Sequence, residues 1–498
     1  MKPGSPHPPT AADRFGWLSI IRLGLVQACL GGVVVLATST LNRVMVVELA
    51  LPAVVPGVLV AMHYVVQLLR PRMGFGADQT GRCSPWIVGG MAVLACGGLL
   101  GAYAVTIVPA SLATGMALAV IAFALIGAGV SACGTSVLVL LAKRVSDQRR
   151  AGAATLVWLM MIAGFAITAG TAGKLLDPYS PERLLQVAGS VSIIAFTLTC
   201  LVLIRLESAP RPASASPASA SPALDSPSAQ TASGEANPGA SFLAALRQVW
   251  QEPAARHFTL FVFVSMLAFS AQDLILEPFA GTVFAYTPGQ STQLSGLQHS
   301  GILIGMLLVA AAGSGRILGR RLGSLRFWTV SGCIASALAL VGLVVAAVAG
   351  PGWPLNANVV LLGAANGAFS IAAIASMMRL AGEGTARREG TRMGLWGAAQ
   401  AIAFGFGGLL GTALSDLARL LLDDIALAYG TVFALEAVLF IVSARMALRI
   451  PNSLSPAAHT ATDKSHPSDT VPTHASGAVS PAPHRASSSA LSQEAIHA

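Results

Sequence analysis

Charge is what this chain has least of. Asp, Glu, Lys and Arg together make up 10% of its 498 residues, against roughly a quarter in an ordinary soluble domain. That excludes a water-clothed globule as the main body. Cysteine is sparse as well. Cys29, Cys83, Cys96, Cys133, Cys200 and Cys333 form no Cys-x-x-Cys pair and no metal spacing, so they read as small apolar helix residues rather than bridges or ligands. No Gly-rich loop precedes a Lys, no nucleophile stands with a base, and no metal cluster is visible, so neither an enzyme nor an ATP-driven pump is expected. The net charge of +9 does not imply nucleic acid, because the basic residues are scattered along short loops.

What is abundant is apolar sequence. Hydrophobic residues are 54% of the chain and fall in long blocks. Blocks of 18 or more can cross about 30 Å of hydrocarbon as helices. Twelve spans are predicted, near 19–41, 50–69, 86–108, 112–141, 152–174, 185–205, 257–277, 297–314, 327–349, 357–380, 393–414 and 426–447. The first is too long for a cleaved leader and is expected to stay. With both termini inside, every Lys and Arg except Arg43, Lys174, Arg183 and Arg419 lies on the cytoplasmic side. This is the bias that sets membrane orientation.

The expected organisation is an all-α polytopic membrane protein. A cytoplasmic tail (1–17) leads into an N-terminal six-helix half (18–206), then a Ser/Ala/Pro-rich linker (207–252), a C-terminal six-helix half (253–449) and a second tail (450–498). The linker and tail bury too little apolar surface to fold and are expected to be disordered. Phe242–Trp250, at the linker's end, has helical periodicity suited to the membrane surface. Between spans two and three, Gly74, Asp78, Gly81 and Arg82 resemble the G-x-x-x-D-x-x-G-R loop of the major facilitator superfamily, and Gly315 to Arg321 is a weaker echo without the Asp. The resemblance implies the major facilitator fold, with parallel six-helix halves related by an axis along the membrane normal.

Polar residues within the spans are few enough to weigh singly. Asp273 and Glu277 are four apart, on one helix face near the outer end of span seven, and Pro278 is expected to break or bend that helix. A proton relay, a ligand contact and a hydrated helix end all remain open for them. Arg43, beside Asn42, is expected to pair with Glu48, Asp273 or Glu277. His63 is well inside a span and is open to ligation or to plain packing, while His257 and His299 sit near span ends and carry less. Asn366 and Gln400 can bond across helices, and Glu436 has no evident partner. Gly394, Gly397, Ala401, Gly405 and Gly408 form a small-residue stripe on span eleven, behind Trp396. Such a stripe admits a neighbouring helix or a flat ligand.

Four segments carry a narrower resemblance: Thr40–Leu49, Gln272–Gly281, Asn366–Ser370 and Arg388–Gln400. Together they are similar to the PucC/LhaA family, the bacteriochlorophyll-delivery branch of the major facilitator superfamily. The resemblance implies a light-harvesting assembly factor in the inner membrane of a phototrophic bacterium. Its transient ligand would be bacteriochlorophyll or a late precursor. Its partners would be antenna polypeptides, pigment-synthesis enzymes and the bilayer. His63, Asn366, Gly394, Trp396, Gly397, Gln400, Ala401 and Gly405 are then the candidate pigment or partner contacts, with Trp396 able to stack on the ring and His63 to ligate its magnesium. Proton-coupled export of an amphipathic compound and a pigment-free scaffold for antenna helices are the alternatives.

Overall fold

The computed structural model describes residues 15–70, 72–73, 82–145, 147–207, 247, 250–314, 323–382 and 389–450. Among them are twelve α-helices: α1 (Trp17–Val35), α2 (Val54–Val66), α3 (Ser84–Ile107), α4 (Leu112–Arg144), α5 (Asp147–Leu176), α6 (Pro181–Leu203), α7 (Pro253–Val283), α8 (Pro288–Ser314), α9 (Leu325–Ala349), α10 (Leu355–Gly382), α11 (Glu389–Leu421) and α12 (Ile425–Leu448). The protein is a multi-pass membrane protein of the major facilitator architecture. Eleven of the helices are long and apolar enough to span.

The expected span at 50–69 starts late. Ala50 takes a left-handed backbone at φ 50°, and Pro52 disfavours helical geometry in the residue before it. The apolar helix therefore runs only from Val54 to Leu69. Its exposed amides are satisfied from the other half of the chain: Asp416 of α11 accepts from Ala53 N at 3.0 Å and Val54 N at 2.7 Å. A carboxylate at a helix N-terminus is stabilised by both the orphan donors and the helix dipole.

Packing repeats with a shift of six helices. The pairs α1–α5, α2–α4, α3–α4 and α3–α6 recur as α7–α11, α8–α10, α9–α10 and α9–α12. One apolar core is built on α1–α6 and another on α7–α12. The halves meet along α5–α8 and α2–α11, two seams that exchange under the same shift. Within the second half, a Cβ on Gly305 would run into the Ala364 carbonyl, and one on Gly367 into that of Ile302. Helices α8 and α10 therefore touch backbone to backbone, the packing that small residues permit in lipid.

Of the break or bend expected in α7, the break does not occur. Pro278 sits inside the helix, which continues to Val283. Proline has no N–H to give the carbonyl four residues back, which leaves Leu274 O free. Asn42 Nδ2 of the other half takes that carbonyl at 2.7 Å, and Thr282 Oγ1 donates to Pro278 O. A cross-half hydrogen bond thus fills the gap the proline opens.

Candidate functional site

The interface between the halves is sealed at one end and hollow at the other. The sealed end forms where α1 loosens into π-helical turns over Leu36–Leu41 and Val44–Glu48. Single π-turns re-aim side chains and cluster at functional positions. Here they turn Ser39, Thr40, Asn42 and Arg43 toward α7 and α8. Ser39 Oγ donates to Glu277 Oε1, Thr40 and Thr292 share a hydrogen bond of 3.0 Å, and Arg43 pairs with Glu48. Arg43 Nη2 also donates to Tyr286 O at 2.6 Å. Arg43 is 2% exposed and Asn42 is fully buried. Among the described residues, Glu277 Oε2, Arg43 Nε and Asn42 Oδ1 have no partner.

The hollow end is a cavity of about 520 Å³ bounded by residues of both halves. It faces the end of the bundle where α2 finishes and α11 begins. Its wall includes an aromatic and thioether face: Tyr64, Trp158, Phe165, Phe269 and Phe404, with Met161, Met266, Met306 and Met377. Rings of this kind offer large flat contact area at little entropic cost, and methionine adapts to irregular shapes. Set into this wall are Gln27, Gln67, Arg70, Asp273, Gln298, His299 and Gln400. Gln298 Nε2 donates to Asp273 Oδ1 at 3.1 Å. The wall is therefore more polar than a sequence nearly devoid of intramembrane charge suggested, because the rare polar groups converge on one volume.

The candidate residues divide between these regions and the cores. Gly397, Gln400 and Ala401 border the cavity, and nothing lies within 4 Å of where a Gly397 Cβ would stand. Gly405 packs toward Tyr64 of α2, while Gly408 packs toward Leu274 of α7. The small-residue stripe of α11 thus serves the cavity at one end and helix packing at the other. Gly394 lies in the first turns of α11.

Trp396 is elsewhere. It is 1% exposed, edge-on to Phe258 at 4.9 Å, with Nε1 3.5 Å from Ala255 O, and belongs to the α7–α12 core. His63 is also off the cavity wall. Gln67 Nε2 donates to its Nε2 at 2.7 Å, and its Nδ1 is buried without a partner among the described residues. Asn366 is fully buried and accepts from Ser336 Oγ at 2.7 Å.

Of the polar candidates, Arg43, Glu48 and Glu277 meet at the sealed end, while Asp273 faces the cavity. Gly74, Asp78 and Gly81 lie outside the described residues, as does the Gly315–Arg321 echo. Arg82 is described and exposed. Two residues gain weight that the sequence did not give them. Nothing in the sequence singles out Asp416, and His299 reads there as a span-end histidine. Only the folded interface shows what each faces.

The family model described as "PUCC protein" matches residues 40–454. The "Bacteriochlorophyll synthase 44.5 kDa chain" of Rhodobacter capsulatus is 52% identical over 435 residues, covering 87% of this chain and 95% of that one. "Protein PucC" of the same organism is 28% identical over 461 residues, covering 89% and 94%. Among solved structures, a D-xylose-proton symporter superposes with TM-score 0.65 at 12% identity over 87% of this chain and 97% of its own. A bacterial homologue of the lysosomal transporter Spinster follows at 0.60 and 12%, over 90% and 100%. At such identities these two likenesses establish the fold alone.

Proposed function

The chain belongs to the PUCC protein family, and from that membership we propose that it is a non-catalytic membrane assembly factor for photosynthetic light-harvesting complexes. It holds bacteriochlorophyll, or a late precursor, and delivers it to antenna polypeptides. It works in the bacterial inner membrane with both termini in the cytoplasm, as the distribution of Lys and Arg favours. The names of its relatives tie those proteins to bacteriochlorophyll and to PucC.

The observation that carries the reading is the cavity itself. A sugar or ion path is expected to be lined by hydrogen-bonding groups or charge. This one sets broad ring faces and thioethers among its polar groups, a lining that suits a large, flat, mainly apolar ligand with polar groups at its edge.

The residues present fit such a ligand. Phe165, Phe269 and Phe404 give the apolar wall. Tyr64 Oη and the Gln400 amide, which reaches Met266 Sδ at 4.0 Å, are donors for carbonyl groups on a ring's edge. When bound, the pigment supplies the light-absorbing magnesium ring, and the chain's part is to exclude water and lipid from it and to orient it. Gentle purification followed by absorption spectroscopy tests this. A bacteriochlorophyll band that travels with the protein is expected, together with weakened antenna bands in a deletion strain. Protein that takes up no added pigment, with normal antenna in the deletion strain, overturns the reading. A purified chain that chemically converts a pigment precursor overturns its non-catalytic part.

Asp273, a carboxylate on the cavity wall four residues before Glu277, favours a second reading: proton-coupled export of a small amphipathic compound. Proteoliposomes then show substrate-dependent proton flux that Asp273→Asn abolishes, and absence of that flux in the unaltered protein removes the reading.

A further inference from the structure

Among the described residues the cavity wall carries one imidazole, His299 on α8, and its surroundings prepare it for ligation. Its Nδ1 lies 2.9 Å from Ser295 O. A carbonyl can only accept, so Nδ1 carries the proton and Nε2 keeps its lone pair. The ring is braced edge-on by Phe165 of α5, with centroids 4.9 Å apart, so the two halves together fix its plane. Among the described residues the ring's hydrogen bond is the one at Nδ1, with none shown at Nε2, and His299 borders the cavity. Fixing one nitrogen on a carbonyl while the other points into a site is the arrangement that sets tautomer and raises basicity in metal-binding histidines.

His63 makes the contrast. Its Nε2 is occupied by Gln67, its Nδ1 is buried, and it has no place on the cavity wall.

We propose that His299 Nε2 is the axial ligand for a metal-bearing tetrapyrrole seated in the central cavity, the magnesium of the ring being what the unpaired nitrogen recognises. This rests on the pigment-binding reading above and adds to it the residue that distinguishes a metallated ring from a free base. The aromatic wall receives either ring. Only the metallated one completes the histidine.

The test titrates the purified full-length protein in detergent with bacteriochlorophyll and, separately, with bacteriopheophytin, the same ring without magnesium. The Qx band and resonance Raman marker bands report the coordination state of the metal. In His299→Leu, bacteriochlorophyll affinity is expected to fall by about tenfold or more and the axial-ligand signature to disappear, while bacteriopheophytin affinity holds. In His299→Gly, added imidazole is expected to restore the signature. Because the free base is titrated on the same variants, a misfolded cavity would lose both pigments, and that result overturns the ligand role in favour of a packing one. Unchanged bacteriochlorophyll affinity and an unchanged coordination signature in His299→Leu also overturn the ligand role while leaving pigment binding intact. Failure of the unaltered protein to bind either pigment overturns both readings.

Discussion

The two ends of the inter-half interface use polar residues in opposite ways. At the sealed end, Ser39, Asn42 and Arg43 of α1 spend their hydrogen bonds on the other half, on Glu277, Leu274 O and Tyr286 O. At the hollow end, His299 and Gln400 hold polar atoms toward a shared volume that no side chain fills. Polar groups that meet each other across lipid-buried helices lock an interface, whereas polar groups that meet a cavity await a ligand. The same few residue types thus perform closure at one end and recognition at the other. The difference lies in whether the opposing helix is close enough to answer them.

Breaking the sealed end should have the largest effect. Arg43→Leu leaves Glu48 and Tyr286 O without their donor and removes the cation near buried Glu277, and removal of one member of a buried ionic network costs about 3–5 kcal/mol. The expected result is a large drop in detergent melting temperature and in membrane abundance, with Glu48→Gln milder because Glu48 is 35% exposed at its side chain. Next comes the backbone seam. Gly305→Leu drives a side chain into the Ala364 carbonyl, an overpacking of about 1–3 kcal/mol, again read from the melt.

A smaller effect is expected away from both ends. Glu207 accepts from Cys83 N at 2.7 Å and Ser84 N at 2.8 Å, closing the start of α3. Partial burial pushes its carboxyl upward, but the nearby Ser84 side chain, the two amide donors and the charge of Arg144 outweigh this and hold it below the usual range. A lowered carboxylate contributes stability that is present above the unfolded value and is lost as pH falls through the folded one. The melting temperature should therefore fall in acid below the ordinary carboxylate range. Glu207→Gln should flatten that acid limb, at a neutral-pH cost under about 1 kcal/mol after solvent screening.

The smallest effect on stability belongs to the cavity. Gly397→Leu projects into space with nothing within 4 Å, so the melt should not move while pigment uptake declines. If the melt falls with uptake, the cavity end is packed rather than open, and the contrast between the two ends collapses.

Much of the architecture was legible along the chain. The apolar blocks anticipated the helices, and Asp273 and Glu277 stood out because carboxylates are costly in lipid. Arg43 was expected to find an acid nearby, and it pairs with Glu48. Other features depended on distances no sequence displays. Pro278 reads as a helix breaker until Asn42 arrives to take Leu274 O. Trp396, at the entry of a glycine-rich helix, reads as a side chain free to stack on a pigment ring until Phe258 and Ala255 enclose it. His63 reads as the better membrane histidine because depth in a span is visible in sequence, whereas the direction a ring faces is not.

Sequence alone determined that this chain lives in a bilayer as two sets of helices, because transfer of apolar blocks and exclusion of charge act locally, residue by residue. It also determined the family, through motifs that need no contact to be read. The tertiary structure decided which polar residues answer one another and which face an open volume. Hydrogen bonding and cavity formation depend on ångström-scale approach between helices far apart in the chain, and that approach is set by the packing of both halves at once.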